Sequence, residues 1–247
     1  MKNMSLIILL STAFISCAQV SKSKNVNVIS VEDVKWEKLN PARGDKSPQA
    51  GTLWGDRKGK PATGFLAKFV DGFSSPPHIH NVSYRAIVID GLIHNDDPKA
   101  ANMWMPNSSY WTQPAGEAHI TSARGQSNIA LVEIDHGPYL VKPISKEYDN
   151  GQRPYNIHAS NIIWKQRDSY QFVDIWKNEK DIIVGSLLKF KNQISMKTKE
   201  SKYVLITGNI KFDKKVLGPG SLIEFHAQDS LNATCLSDNC IIYRKIL

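Results

Sequence analysis

Four short landmarks occur twice along this chain, in the same order and at similar spacing. The first set is Val34-Lys35-Trp36, Leu53-Trp54-Gly55-Asp56, Gly64-Phe65-Leu66-Ala67-Lys68-Phe69 and Val88-Ile89-Asp90-Gly91. The second is Ile162-Ile163-Trp164, Asp174-Ile175-Trp176-Lys177, Gly185-Ser186-Leu187-Leu188-Lys189-Phe190 and Leu205-Ile206-Thr207-Gly208. An ordered repeat of this kind implies two copies of one structural unit. Both copies consist of short β-rich runs bounded by Gly, Pro, Asn and Asp, with no long amphipathic helix between them. Many short strands at such spacing predict an all-β sandwich or barrel. The 247 residues are enough for two domains of about 100 residues each.

The expected organisation follows from breaks in the pattern. Residues 1–17 combine a basic start at Lys2, an apolar stretch from Leu6 to Ile15 and a small residue, Ser16, before Cys17. That order describes a secretory signal, and the apolar stretch is too short for a spanning helix. The ending Phe14-Ile15-Ser16-Cys17 resembles the lipobox of bacterial lipoproteins, which implies lipidation at Cys17 and a membrane anchor outside the cytoplasm. Residues 18–33, polar and rich in Ser, Lys and Asn, are expected to be a flexible tether. The first unit is placed at 34–145, a linker at 146–160 where Asp149-Asn150-Gly151 and Arg153-Pro154 break any strand, and the second unit at 161–247.

Export makes a disulfide permissible between Cys235 and Cys240. Their separation suits either a hairpin staple or two free thiols, and geometry decides. The formal net charge of +8 is spread along the chain, often beside Asp or Glu. A nucleic-acid partner would need a clustered basic stripe with interleaved aromatics, and none stands out. The sequence also has no Gly-x-Ser-x-Gly elbow, no phosphate loop and no His-Glu-x-x-His.

Chemistry concentrates in two segments. In Pro76-Pro77-His78-Ile79-His80, alternation along a strand sends His78 and His80 to the same face. Two imidazoles side by side form a chelating pair. In Pro114-Ala115-Gly116-Glu117-Ala118-His119, a tight turn can launch a strand with His119 near its start. A third imidazole from that strand can complete one face of a metal.

These segments resemble the two signature motifs of the cupin superfamily. Gly72, His78, His80 and Gly91 fall at the positions of the first motif, and Pro114, Gly116 and His119 at those of the second. The resemblance covers roughly residues 34–145. It implies a double-stranded β-helix (jelly-roll) barrel, so that the whole chain is expected to be two cupin barrels in tandem. It also implies that His78, His80 and His119 are metal ligands. The order of motifs and the repeat resemble the two-cupin proteins of domain of unknown function 4437, and the first motif resembles the cupin domain of zinc anti-sigma factors.

The departures from the pattern are informative. The glutamate of the first motif is replaced by Tyr84, and the leading glycine of the second by Ser108. The expected site therefore has three neutral ligands and no carboxylate. Tyr84 and Glu117 are candidate acid, base or hydrogen-bonding groups beside the ligands. Arg85 is expected in a surface or inter-barrel ion pair. Cupins with three histidines imply Fe(II) or Zn(II), and imidazoles alone do not choose between them. The second unit has Ser195-Met196-Lys197-Thr198 opposite the histidine pair and His226 at the wrong offset for a ligand. It is expected to be a barrel without a metal site. The functional expectation is an oxygenase-like enzyme acting on a small chelating anion, with a zinc-binding sensor or a non-catalytic ligand-binding module as alternatives.

Overall fold

A computed structural model describes residues 25–247. The signal segment and Cys17 lie outside the described residues. The regular structure is nearly all strand, in antiparallel sheets, with only short helical turns between. Among the described residues no helix is long and apolar enough to cross a membrane.

Two seven-stranded sheets dominate. The first runs Tyr155–Ile157, Tyr110–Gln113, Tyr84–Asp96, Ile120–Ile134, Thr63–Phe69, Gln49–Trp54, Trp36–Lys38. The second runs Val26–Ile29, Leu222–Phe225, Ser201–Thr207, Cys240–Ile246, Ile183–Phe190, Tyr170–Lys177, Lys165–Arg167. A small sheet closes each half: His78–His80 with Val141–Pro143 in the first, and the four strands Gln193–Thr198, Asp229–Cys235, Ile210–Phe212 and Lys215–Leu217 in the second. The halves are the two jelly-roll barrels expected from the repeat.

The repeat has a physical signature. In each half a tryptophan lies across a glycine of the next strand, Trp54 over Gly64 and Trp176 over Gly185. A Cβ on either glycine would fall within 2.0 Å or 2.8 Å of the ring. Each tryptophan also follows a shift in strand register.

Alternation along the strands divides the interior into three cores. Leu66, Ile87, Leu131, Leu187, Val204 and Tyr243 point between the large sheets and join them back to back. Their neighbours in sequence point the other way. Phe65, Ala67, Ala86 and Val132 fill the first barrel, while Leu188, Phe190, Tyr203 and Ile242 fill the second. The central strands are thus buried on both faces, which explains their continuous apolar runs.

Both segments read as connectors are partly structured. Within the stretch expected as a tether, Val26–Ile29 forms a strand paired with Leu222–Phe225 of the opposite half. Within the expected linker, Tyr155–Ile157 pairs with Tyr110–Gln113 of the first half. Each is an edge strand whose pairing satisfies backbone groups at the rim of a sheet. Three-residue and four-residue strands carry too little alternation to be recognised in a polar sequence.

A buried charge cluster also crosses between the halves. Glu133, 1% exposed, accepts from Arg85 Nε at 2.9 Å and from Tyr243 Oη at 2.9 Å, and it pairs with Lys245 Nζ. Arg85 continues to Asp135 and lies over the ring of Trp176 at 5.6 Å. Of the two placements expected for Arg85, its ion pairs stay within the first half, with Glu133 and Asp135. It reaches the second half through the ring of Trp176, and the ion pair that crosses between the halves is Glu133 with Lys245.

Candidate metal centre

His78 and His119 face each other across an isolated antiparallel bridge. The amide of His78 donates to the carbonyl of His119 at 3.1 Å, and the amide of His119 donates back at 3.0 Å. His80, two residues along, has its carbonyl bound by the amide of Gly116 at 2.9 Å. Gly116 adopts φ +84°, and a Cβ there would strike the carbonyl of Tyr148 at 2.5 Å, so this turn requires glycine. The turn delivers His119 opposite the pair that alternation had placed on one face. Ser108, where the motif expects glycine, takes the same left-handed region with φ 71°. Its hydroxyl donates to Asn107 Oδ1 at 2.6 Å, a local bond of the sort that makes this conformation tolerable in a short polar residue.

The three imidazoles have one ligand nitrogen each within 4.8 Å of the others. Their other nitrogens all meet backbone carbonyls. His78 Nδ1 is 2.9 Å from Pro76 O, His80 Nδ1 is 3.2 Å from Leu140 O, and His119 Nδ1 is 3.2 Å from Glu117 O. A carbonyl can only accept, so each Nδ1 carries the proton and each Nε2 presents a lone pair. This arrangement sets the tautomer that metal-binding histidines use. Burial lowers the pKa of all three. Burial and repulsion from His78 push His119 down to about 3, and burial together with its two neighbours holds His80 well below the ordinary histidine value. The site is three neutral donors at neutral pH.

The donor set fits a divalent metal. Zinc–nitrogen bonds of about 2.0–2.1 Å would bring three nitrogens on one ion roughly 3–3.5 Å apart, a small contraction of the present cluster. Among the described residues no other group of His, Cys, Asp or Glu has such an arrangement. His226 is exposed beside Glu224, and Ser195 bonds to Asn232, both away from any such cluster.

Tyr84 lies beside the histidines, buried at 6% exposure. Its hydroxyl donates to Asn95 Oδ1 at 2.9 Å and sits 3.4 Å from His119 Nε2. Asn95 also accepts from Thr121 Oγ1 at 2.8 Å and donates to Gln113 Oε1 at 3.0 Å. Neutral amides and hydroxyls thus surround the place where the motif's carboxylate would stand, and burial raises the phenol pKa of Tyr84.

Glu117 does not bring its carboxylate to this site. Its contribution is the backbone carbonyl that fixes His119. Its side chain lines a separate depression with Glu147, Asp149 and Arg153, and Oε2 is buried there without a hydrogen-bond partner. Glu117 lies in the irregular stretch between the strands Tyr110–Gln113 and Ile120–Ile134, so its side chain does not share the face of His119.

Tyr139 was not singled out from the sequence. Its hydroxyl lies 3.1 Å from His80 Nε2, and its ring stacks on His80 at 4.3 Å between centroids. Because that Nε2 is a lone pair, the phenol donates to it. The residue arrives on the loop after Ile120–Ile134, far from both motifs. The Gly-Pro before it was the only local signal of a fixed turn.

A cavity of about 310 Å³ opens on His78, His80, Tyr84 and Tyr139, walled by Phe65, Phe69, Phe73 and Trp111. Strand register explains why the first barrel has this space. One transverse row across four strands reads Ala50, Ala67, Ala130, Val88. The equivalent row of the second half reads Phe172, Leu188, Ile242, Leu205, large side chains in place of the alanines, packed in the apolar core of that half. Cys235 and Cys240, in the second half, form a disulfide that closes the hairpin between their strands.

Comparison with known proteins agrees with this picture. A "putative dioxygenase" of Nostoc punctiforme superposes with a TM-score of 0.71 at 13% identity, covering 90% of this chain and 82% of that one. An oxalate decarboxylase of Lactobacillus farciminis, in a formate complex, gives 0.56 at 10% identity over 88% and 84%. Vicilin of hazelnut, Corylus avellana, gives 0.57 at 9% over 89% and 85%. At these identities the likeness is one of fold, the cupin jelly roll. No curated protein matches the sequence significantly. A family model described as a domain of unknown function matches residues 27–245, nearly the whole of both barrels, and the chain therefore belongs to that family, DUF4437.

Proposed function

We propose that this metal-binding cupin is an enzyme acting on a small chelating organic anion, with Fe(II) as the resident metal and dioxygen-dependent cleavage as the reaction; Zn(II) with lyase or isomerase chemistry is the next choice. One observation carries the reading. Three neutral imidazoles, each oriented by a backbone carbonyl, bring their ligand nitrogens within 4.8 Å of one another, and two of them, His78 and His80, line an apolar cavity. His78, His80 and His119 would hold the ion. A divalent ion there supplies an electrophilic centre with open coordination positions, its charge uncompensated by any protein carboxylate, which favours enolates, thiolates or 2-oxo acids as ligands.

The chain's own residues complete the site. The apolar walls exclude water and so strengthen each polar contact inside. Tyr84 and Tyr139 have pKa values raised by burial and keep their protons at neutral pH. Both phenols stand beside ligand nitrogens. Tyr84 gives its proton to Asn95, and Tyr139, whose proton goes to His80, would be freed to donate to a substrate oxygen when a metal takes that lone pair. The dioxygenase description of the Nostoc punctiforme neighbour supports placing oxygen chemistry first. The second barrel, which has no histidine cluster among the described residues, is read as a structural partner, which makes the protein a bicupin with one working site.

The reading includes export and anchoring through Cys17. The disulfide at Cys235–Cys240 supports it, because such bonds persist outside the reducing cytoplasm. Fractionation of wild type and Cys17→Ser tests this part, with release of the variant from the membrane as the expected result. The enzymatic part is tested by oxygen uptake of Fe(II)-loaded protein across a panel of 2-oxo acids, β-diketones and thiols. Uptake with one class, abolished in His119→Ala, is expected; no uptake with any of them would remove the oxygenase reading.

A further inference from the structure

The cavity has one charged side chain that the fold does not pair. Tyr84 and Thr121 are both bonded to Asn95, Ser75 accepts from the amide of Thr121, and Tyr139 donates to His80. Arg43 also lines the cavity, and among the described residues no carboxylate pairs with it. Its neighbours differ in this respect. Lys38 is paired with Asp45, and Arg57, which lies over Phe65, is paired with Glu37. Arg43 instead lies over the ring of Phe73, 5.2 Å from its centroid. Stacking holds a guanidinium by its face and leaves its in-plane N–H donors free for a carboxylate.

Position adds to the argument. Arg43 is exposed on the short helical segment Pro41–Lys46, whereas His80 is 3% exposed at the inner end. Leu39 and Val141, also on the cavity wall, are exposed at 41% and 65%. The mouth therefore carries apolar side chains, the neutral amide of Asn40 and a single unpaired cation, and the space beneath it is lined with aromatic rings.

We infer that the ligand of this cavity is an organic acid with an apolar, aryl-sized body, whose carboxylate is taken by Arg43 at the mouth while its other end faces the histidines. The inference rests on the proposed function for what happens at the inner end, but the anion subsite at Arg43 stands apart from the metal. A charged hydrogen bond in a partly desolvated mouth is worth about one factor of ten in affinity.

The test is calorimetric titration of the full chain, both chelator-stripped and Co(II)-loaded, with 3-phenylpropionate and its primary amide. The expected result is binding of the acid ~10-fold tighter than the amide in both forms. Arg43→Gln should abolish that preference without changing the amide affinity or the visible spectrum of bound Co(II). Equal binding of acid and amide by wild type, survival of the preference in Arg43→Gln, or binding of neither probe would overturn the inference. A preference seen only in the Co(II) form and indifferent to Arg43 would place the carboxylate on the metal and overturn the subsite while leaving the proposed function intact. Failure to bind Co(II) would count against the proposed function, and the stripped protein would still decide the role of Arg43.

Discussion

Replacing Glu133 with glutamine tests whether the two barrels are held as one unit by buried charge. The amide keeps the size of the side chain and can still accept from Tyr243, but it removes the negative charge that faces Arg85 and Lys245. Arg85 retains Asp135, whose side chain is 66% exposed. Lys245 has no second carboxylate within ion-pair distance among the described residues, and its side chain is only 8% exposed. Breaking a buried pair costs about 3–5 kcal/mol, chiefly as the penalty of the stranded partner. Since only one of the two cations is stranded, the lower end, about 3 kcal/mol, is the expectation. For a chain of this size that is a fall in Tm of roughly 6–12 °C. Adding Lys245→Met removes the stranded cation, so the double variant should regain about 2 kcal/mol relative to Glu133→Gln. Thermal and denaturant unfolding of the four proteins in the cycle provides the numbers. A loss under about 1 kcal/mol for Glu133→Gln, or strictly additive losses in the double variant, would refute the reasoning.

Three further outcomes concern the site. Tyr139→Phe removes the hydrogen bond to the lone pair of His80 Nε2 and should raise Zn(II) affinity up to about 5-fold, as one neutral hydrogen bond is worth about 1 kcal/mol; a fall in affinity by competition titration would make the phenol a ligand. Tyr84→Phe should leave metal affinity nearly unchanged, whereas Tyr84→Glu should raise it by adding a charged oxygen, with weaker binding of anionic chelators; loss of metal in Tyr84→Phe would contradict the three-histidine description. Ala67→Leu copies the residue that fills the second barrel at Leu188, and should abolish ligand binding in the cavity while metal binding persists. Calorimetry with and without metal separates those two effects, and undiminished ligand binding would show that the alanine row does not define the cavity.

The histidines were legible because each signal was local. His78 and His80 obey strand alternation, and Pro114 and Gly116 mark the turn that delivers His119. The repeat was legible for a similar reason, since a tryptophan over a glycine recurs wherever that strand pair recurs. The cavity was harder to see. Ala50, Ala67 and Ala130 become a row only when three strands are in register, and no single alanine announces an empty space. Tyr139 and the carbonyl of Leu140 reach His80 from about sixty positions away, through a loop without periodicity. The direction of Glu117 was not legible, because strand alternation does not extend into the irregular stretch before His119. The edge strands at Val26 and Tyr155 were hidden by their shortness within polar stretches, and their pairing is decided by the sheets they join rather than by their own residues.

Metal stoichiometry tests the central claim most directly. The protein is loaded anaerobically with Fe(II), Zn(II) or Co(II), freed of excess ion, and analysed for bound metal per chain beside the His78→Ala/His80→Ala double variant. One equivalent in wild type and none retained in the double variant is the predicted result, because the three lone pairs converge in the first barrel and the second has no counterpart among the described residues. Two equivalents in wild type, or undiminished binding in the double variant, would contradict the account.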